Sequence, residues 1–458
     1  MSGAIVGIIV VVLMIIAAVA GYFAASSNVS TSTSIITSTL PGTTNTVTNT
    51  VTDTSTSIGT VTQTNTVEVT GTVTSTITGT VSTVTSVSTS ISTSISTSVS
   101  TSVSTSVQTT TPAPILPVKG SNSLPNIGSP ISEAGSSLIY PLFQLWAANF
   151  TADYPNVQVN TAAGGSGAGL SGVEANTINI GGSDPFMSNA QVQAYPSILN
   201  IPVAVAAQQV NYNIPGLTHQ LNFTGNVLAG IYNGTITYWD AAAIKAINPL
   251  AANQLPHQLI VPIHRSDSSG DTNLFTTYLS DTSPDWAKNT GAGNVVSWPS
   301  VPTAAADNGN SGMLTGCSQT QYSIAYIGIS YEIGANGATA LGLGTGKLQN
   351  LAGNFVQETQ ANILSAVNAQ YLNTPPSERY SLIFGPGATS YPIVCYEYAL
   401  VQTHQGNAAL AADVRALLDF ATLPNYGNSP FFLNQVGFVP LPNSIAQLSW
   451  AQINLITT

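Results

Sequence analysis

Positive charge is what this chain has least of. Among 458 residues, 7 Lys and Arg stand against 18 Asp and Glu, for a formal net charge of -11. Charged residues make up 5% of the chain, about a fifth of the share usual in soluble domains. The only arginines are Arg265, Arg379 and Arg415. This balance excludes nucleic acid and anionic membrane surfaces as partners, because both require basic patches. Any anion bound here must be held mainly by backbone dipoles and hydroxyls. Cysteine is also scarce: Cys317 and Cys395 allow one disulfide in an oxidising compartment or two buried thiols, and both readings stay open. The histidines His219, His257, His264 and His404 are scattered, and no His/Cys/Asp spacing fits a metal. No metal or other cofactor is expected.

What is present falls into blocks. The run SGAIVGIIVVVLMIIAAVAGYFAA has no charge and reaches roughly the 20 residues that span a bilayer. Residues 1–25 are read as a transmembrane anchor or signal segment, with the remainder on the extracellular face of the membrane, or secreted if Ala18-Val19-Ala20 is cleaved. From residue 26 the chain is Ser/Thr-rich, with Val87, Ile91, Ile95, Val99, Val103 and Val107 at every fourth position. These apolar residues are too sparse for a core, so residues 26–128 are expected to form a solvated stalk and linker. Sequons at Asn28, Asn149, Asn222 and Asn233 fit an external glycoprotein. The rest is long enough for two domains.

That remainder repeats one local grammar of short strand, Gly/Ser turn and amphipathic helix. In ISEAGSSLIYPLFQLWAANF the apolar face is Leu138, Leu142, Phe143, Trp146 and Phe150, with Ser136 and Ser137 at the helix start. In VQVNTAAGGSGAGLSGVEA, Val157 and Val159 alternate as a strand before Gly164–Gly169 open a helix. INIGGSDPFMSNAQVQAY places Asp184 in the turn and Ser188-x-x-Gln191 as a capping box. LIVPIHRSDSSGDTNLFTTYL places Arg265 before a helix that buries Leu274, Phe275, Tyr278 and Leu279. Each turn leaves unpaired N–H groups at the positive end of a helix dipole. That makes an anion site without Lys or Arg. One such turn is only a capped helix; several with one rare arginine point to a shared oxyanion. The alternation favours an α/β fold with a largely parallel sheet and ligands at the carboxyl ends of its strands.

Carboxylates beside an anion need a proton between them. Asp184 or Asp271 would therefore select a protonated oxyanion, phosphate or arsenate, over sulfate, because a buried acceptor left unpaired is costly. Asp267, two residues from Arg265, is placed to orient the guanidinium.

The segments AGSSLIYPLFQLW, GGSGAGLSG, INIGGSDPFMS, QQVNYNIPGL, LAGIYNGTITYWD and HRSDSSGDTNLFTTYL occur in the order and spacing of a known family. Over roughly residues 130–455 the chain resembles the phosphate-binding proteins of high-affinity phosphate ABC importers, and NGNSGMLTGC, IAYIGIS and YPIVCYEYALV look closest to an actinobacterial-type branch. The resemblance implies a type II, two-lobed periplasmic-binding-protein fold, each lobe a mixed, mostly parallel sheet flanked by helices, closing on one phosphate. Ser136, Ser137 and Leu138 match the first phosphate-contacting turn, Ser166 the glycine-rich turn, and Asp184 the acceptor of the phosphate proton. Arg265 matches the positive group, and Ser269 and Gly270 the hydroxyl and N–H donors of the last turn. Leu138 stands where several relatives have Phe, so only its backbone is implicated. Asp271 stands where many have Thr; its backbone N–H is the expected contact, with helix capping as the other role open to it.

The expected domain path puts residues 129–207 and 392–458 in lobe I and 208–391 in lobe II, with crossings near QQVNYNI and YPIVCYEY. The implied partners are inorganic phosphate and the permease subunits of a phosphate importer, the binding domain itself being monomeric. An enzyme is not expected. GGSGA has Ala168 where a G-x-S-x-G hydrolase elbow needs glycine. The rival to a binding protein is a surface structural or adhesion protein on a degenerate binding fold, which the long stalk would suit; a phosphate-ester hydrolase comes after it.

Overall fold

The computed structural model describes residues 30–40, 43–54, 65–77, 80–84, 89–93, 111–120, 123–125 and 130–458. The chain divides into two units, residues 1–108 and 109–458. The apolar run at residues 1–25 lies outside the described residues. Among the described residues no helix is long and apolar enough to cross a membrane.

In the first unit, Ser30–Leu40, Thr43–Thr54, Asn65–Ile77, Thr80–Val84 and Thr89–Thr93 form an antiparallel sheet. Within the segment expected to form the stalk and linker, the chain pairs with itself over these strands. The reason is compositional: Thr, Val and Ile are β-branched and favour extended, laddered backbone.

In the second unit, the elements that position the site are β1 Ile131–Gly135, α1 Tyr140–Asp153, β2 Val159–Ala163, α2 Ser166–Glu174, β3 Ile180–Ser183, α3 Asn189–Ala194 and β4 Ile198–Tyr212. They continue with β5 Val261–Arg265, α4 Gly270–Thr282, β6 Ala305–Asp307, α5 Gly309–Gln319, β7 Ser323–Gly328, β8 Val394–Gln402, α6 Ala408–Thr422 and α7 Asn443–Ile453. One sheet runs in the order β6-β5-β7-β4-β8-β3-β1-β2, with Gly344–Thr345 also on β4. β1 pairs in parallel with β2 and β3, and β5 with β6 and β7. β4 and β8 are antiparallel to each other, β4 to β7, and β8 to β3.

The sheet is therefore evenly mixed and not mostly parallel. The difference comes from β4, whose run ILNIPVAVAAQQVNY is almost wholly buried. Residues 198–207 of β4 pair with β8, and residues 208–212 pair with β7. One strand thus belongs to both halves of the sheet, its partner changing at Gln208.

Helix faces follow the apolar spacing. Leu142, Phe143, Trp146 and Phe150 are buried on α1, and Leu274, Phe275, Tyr278 and Leu279 on α4. Ser188 and Gln191 form the reciprocal capping box at the start of α3. Behind β5 and β7 lies an aromatic column. Phe275 stacks on Tyr326 at 4.6 Å between centroids, Trp298 lies 6.1 Å from Tyr326, and His264 stacks on Trp298 at 4.7 Å. Each such pair adds about 0.5–1.5 kcal/mol beyond area burial. The Tyr326 hydroxyl accepts from the Arg265 backbone N–H at 2.9 Å and bonds the Thr272 hydroxyl at 2.8 Å. The core thereby fixes both ends of the turn that carries the arginine.

Candidate functional site

Strands β1, β2, β3, β5 and β6 end at Gly135, Ala163, Ser183, Arg265 and Asp307. The segments that follow them meet. Gly167 N–H at the start of α2 donates to the Ser268 carbonyl at 3.0 Å. Asn310 at the start of α5 donates its backbone N–H and its side-chain amide to Ser137 Oγ, each at 3.0 Å. Asp184 N–H donates to Ser166 Oγ at 3.2 Å, and Ser136 Oγ donates to Asp184 Oδ1. Ser136, Ser137, Ser166, Asp184, Arg265, Ser269 and Asp271 are all at most 3% exposed. The structure brings together every residue that the sequence nominates for the site.

Glycine makes this approach feasible. Gly165 precedes α2 with φ +83, and a Cβ there would strike Asp267 and the Ser268 carbonyl. A Cβ on Gly270 would strike Asp184 Oδ2 and Ser166 Oγ. The glycine-rich turn thus packs closely on the arginine-bearing turn, against the side chains of Asp267 and Ser268.

Arg265 is buried and doubly paired. Its Nε and Nη2 donate to Asp267 Oδ1 and Oδ2 at 2.7 and 2.5 Å, and its Nη1 donates to Asp271 Oδ2 at 2.8 Å. Burial alone would lower its pKa, but the Asp267 hydrogen bonds and the nearby Asp271 charge push it above its ordinary value. Burial likewise works to raise Asp267, and its hydrogen bonds from Arg265 overcome this and hold it below the usual range. A guanidinium fixed at both edges is pre-oriented, which lowers the entropy cost of meeting an anion.

Asp271 takes a role that sequence reasoning did not assign. Ser269, not Asp271, is the N-cap of α4, accepting from Thr272 N–H at 3.2 Å. The Asp271 carboxylate instead accepts from Arg265, from Asn310 Nδ2 at 2.6 Å and from Gln208 Nε2 at 3.1 Å. Burial raises its pKa while Arg265 pulls the other way. Leu138 is buried, with its N–H on Ser136 Oγ at 3.0 Å and its carbonyl accepting from Ser330 Oγ at 2.7 Å. Sequence reasoning missed Asn310 and Gln208. The signal for Asn310 was available: ADNGNSGM is a further strand–turn–helix of the same grammar. Gln208 sits mid-strand in β4 with no local mark.

Asp184 is the unusual group. Its Oδ2 is buried without a hydrogen-bond partner among the described residues. Burial first, then the Asp271 charge, push its pKa up to about 7, against the lowering pull of Ser136 and Arg265. Such an oxygen is an acceptor waiting for a donor. Cys317 and Cys395 are both free and buried, so of the two readings left open it is the pair of thiols that the structure has. Burial pushes the Cys317 thiol up to about 12 and the Cys395 thiol up as well, so neither is reactive. Among the described residues no cluster of His, Cys, Asp and Glu could hold a metal.

Helix N-termini converging on one arginine and one open carboxylate, at the strand ends of an α/β sheet, define a solute-binding protein. A family model described as "PBP superfamily domain" matches residues 60–425. A protein named "Phosphate-binding protein PstS" from Methanocaldococcus jannaschii is 34% identical over 74% of this chain and 90% of its own length. Another of that name from Pasteurella multocida is 32% identical over 70% of this chain and 89% of its own. A solved phosphate binding protein from Stenotrophomonas maltophilia shares the fold, with a TM-score of 0.53 at 17% identity, over 70% of this chain and 93% of that one. The chain belongs to the PstS family of phosphate-binding proteins within the PBP superfamily.

Proposed function

We propose that this protein binds inorganic phosphate outside the cytoplasm and delivers it to an ABC-type phosphate importer. The observation that carries the reading is the buried, unpartnered Asp184 Oδ2 set among hydroxyls and helix N-termini. Hydroxyls, N–H groups and Arg265 suit any tetrahedral oxyanion. A buried carboxylate oxygen without a donor suits only one that brings a proton. Sulfate at neutral pH has none, and phosphate has one.

Ser136, Ser137, Leu138, Ser166, Asp184, Arg265, Ser269 and Gly270 are the proposed ligand contacts. Ser137 Oγ keeps a hydrogen to donate while accepting from Asn310. Asp267 and Asp271 hold the guanidinium between them, and Asp271 adds its backbone N–H at the start of α4. The site works by binding alone. Asp271 neutralises Arg265 and positions no nucleophile.

The proposed lobes are residues 129–207 with 392–458, and 208–391. The change of partner along β4 at Gln208 supports this path, since a strand shared by two half-sheets is a natural crossing. The apolar run at residues 1–25 would tether the protein on the outer face of the membrane. The Ser/Thr-rich segment would set the reach of a monomeric binding domain toward its permease, with glycans on the sequons. A structural or adhesion role on a degenerate fold is disfavoured because no proposed contact is missing from the buried cluster. Titration calorimetry of the full chain with phosphate, and with sulfate as control, tests the reading. Phosphate saturates the site at micromolar or lower concentration and sulfate does not. Absence of phosphate binding in that range refutes the proposal.

A further inference from the structure

Glu397 lies on β8, in the motif CYEYA. The β8–β3 ladder ends with Tyr398 opposite Ser183, the last residue of β3, and Glu397 and Asp184 are the next residues of the two antiparallel chains beyond that pair. Glu397 is fully buried, Asp184 is 2% exposed, and each carboxyl acts on the other's charge at short range. Glu397 Oε1 receives only the weak thiol donor of Cys395, at 3.4 Å. Its Oε2 and Asp184 Oδ2 are both without a donor among the described residues.

Two ionised carboxylates cannot share a buried contact, so the pair holds one proton between them. The surroundings decide where it sits. Asp184 receives the Ser136 hydroxyl and feels Arg265, and both favour its charged form. Glu397 has neither. Burial pushes its pKa well above the usual carboxylate range, and the charges of Asp184 and Asp271 add to this. The ionisable groups facing it are Asp184, Asp271 and Cys395, the last itself pushed up by burial.

We propose that Glu397 is a positioning residue of the site, holding a proton that it donates to the Asp184 carboxylate so that Asp184 meets the ligand as an ordered, singly charged acceptor. This rests on the phosphate reading above. The Glu397 proton bonds Asp184 from beneath, and the ligand's own proton bonds it from within the cleft. Ionising Glu397 would place a second negative charge behind the acceptor and weaken anion binding. The site therefore carries a built-in loss of affinity at alkaline pH.

The test compares the full wild-type chain with Glu397→Gln and Glu397→Leu. Infrared spectra of the ligand-free protein at neutral pH report the carbonyl stretch of protonated carboxyls. Calorimetry reports phosphate affinity from neutral to alkaline pH. Glu397→Gln is expected to lose one protonated-carboxyl band and to bind phosphate at neutral pH within about threefold of wild type, since its amide N–H replaces the O–H. Its affinity then falls less steeply, the two proteins diverging by about tenfold or more at alkaline pH. Glu397→Leu, which has no donor, binds about tenfold or more weaker already at neutral pH. An unchanged infrared spectrum in Glu397→Gln, or parallel pH profiles for Glu397→Gln and wild type, overturns the assignment. If wild type itself fails to bind phosphate, the ligand reading falls, and the infrared band still decides where the proton is.

Discussion

Replacing Asp184 by Asn keeps the shape of the site and inverts its logic. The substituted amide can still accept from Ser136 through its oxygen, as Asp184 Oδ1 does now. At the other position, the unpartnered Oδ2 becomes an NH₂ group, so an acceptor for the ligand's proton becomes a donor. Phosphate then loses a hydrogen bond to a charged group, worth about 1.5–3 kcal/mol, and its affinity should fall about 10- to 100-fold. Sulfate loses a repulsive carboxylate and gains a donor of similar worth, so its affinity should rise by a similar factor. The phosphate-to-sulfate ratio is therefore expected to drop by about 10² to 10⁴, the two shifts acting in opposite directions. Stability should not suffer. Burial already pushes the Asp184 pKa up to about 7, which means the fold disfavours the charge that Asn removes. Calorimetric titrations of the full chain with both anions at neutral pH, beside a thermal melt, measure all three quantities. A ratio within about threefold of wild type, in a variant that melts normally, would refute the proton-acceptor role of Asp184.

Two further outcomes follow from the same geometry. Gly270→Ala puts a Cβ against Asp184 Oδ2 and Ser166 Oγ, both on buried residues, so the facing turns must part. Phosphate affinity should fall about 100-fold or more, with only the 1–3 kcal/mol stability loss usual for overpacking; near-normal affinity would show that the turns separate freely. The second outcome concerns pH. Burial raises Glu133, Glu378 and Glu397 well above their ordinary values, so the folded chain keeps protons that the unfolded chain releases above about pH 4.3. Each such group contributes stability that is complete below its unfolded pKa and is lost as pH rises toward its folded pKa, at about 1.4 kcal/mol for every pH unit between the two. Asp267, held low by Arg265, acts oppositely, and its contribution disappears as pH falls through its folded pKa. Calorimetric melts should therefore peak in mild acid and decline toward neutral pH. A melting temperature that climbs steadily from acid to neutral pH would contradict the burial of these carboxyls.

The parts of the candidate site legible in the sequence were those written locally. Ser136, Ser166, Asp184 and Arg265 each follow a short strand, and local grammar suffices to place a residue at a strand end. Helix faces such as Leu142, Phe143 and Trp146 were legible for the same reason, since periodicity is local. What escaped is set by pairing across the chain. The mixed sheet depends on β4 and β8, separated by some 180 residues and aligned by a register that no window can show. Gln208 and Glu397 sit on those two strands, and their roles exist only once the strands meet. Asp271 escaped differently: an acid in the first turn of a helix is read as a favourable charge at the dipole, and only packing reveals that Arg265, Asn310 and Gln208 claim its oxygens.

These long-range groups also resolve the puzzle of charge. At the site one cation, Arg265, faces the carboxylates of Asp267, Asp271 and Asp184, with Glu397 behind them. If all of them were ionised, the cleft would repel any anion before the ligand arrived. Asp267 and Asp271 are spent on the guanidinium, giving it direction at the expense of net charge. What remains attractive is the set of helix N-termini, whose partial charges need no counter-ion and act strongly where water is excluded. In the proposed site, Asp184 costs nothing only when the ligand brings a proton to it, and Glu397 costs nothing only while it keeps its own. On the proposed reading, a site poor in cations is in this way made selective, because proton position decides whether the anion is attracted or repelled.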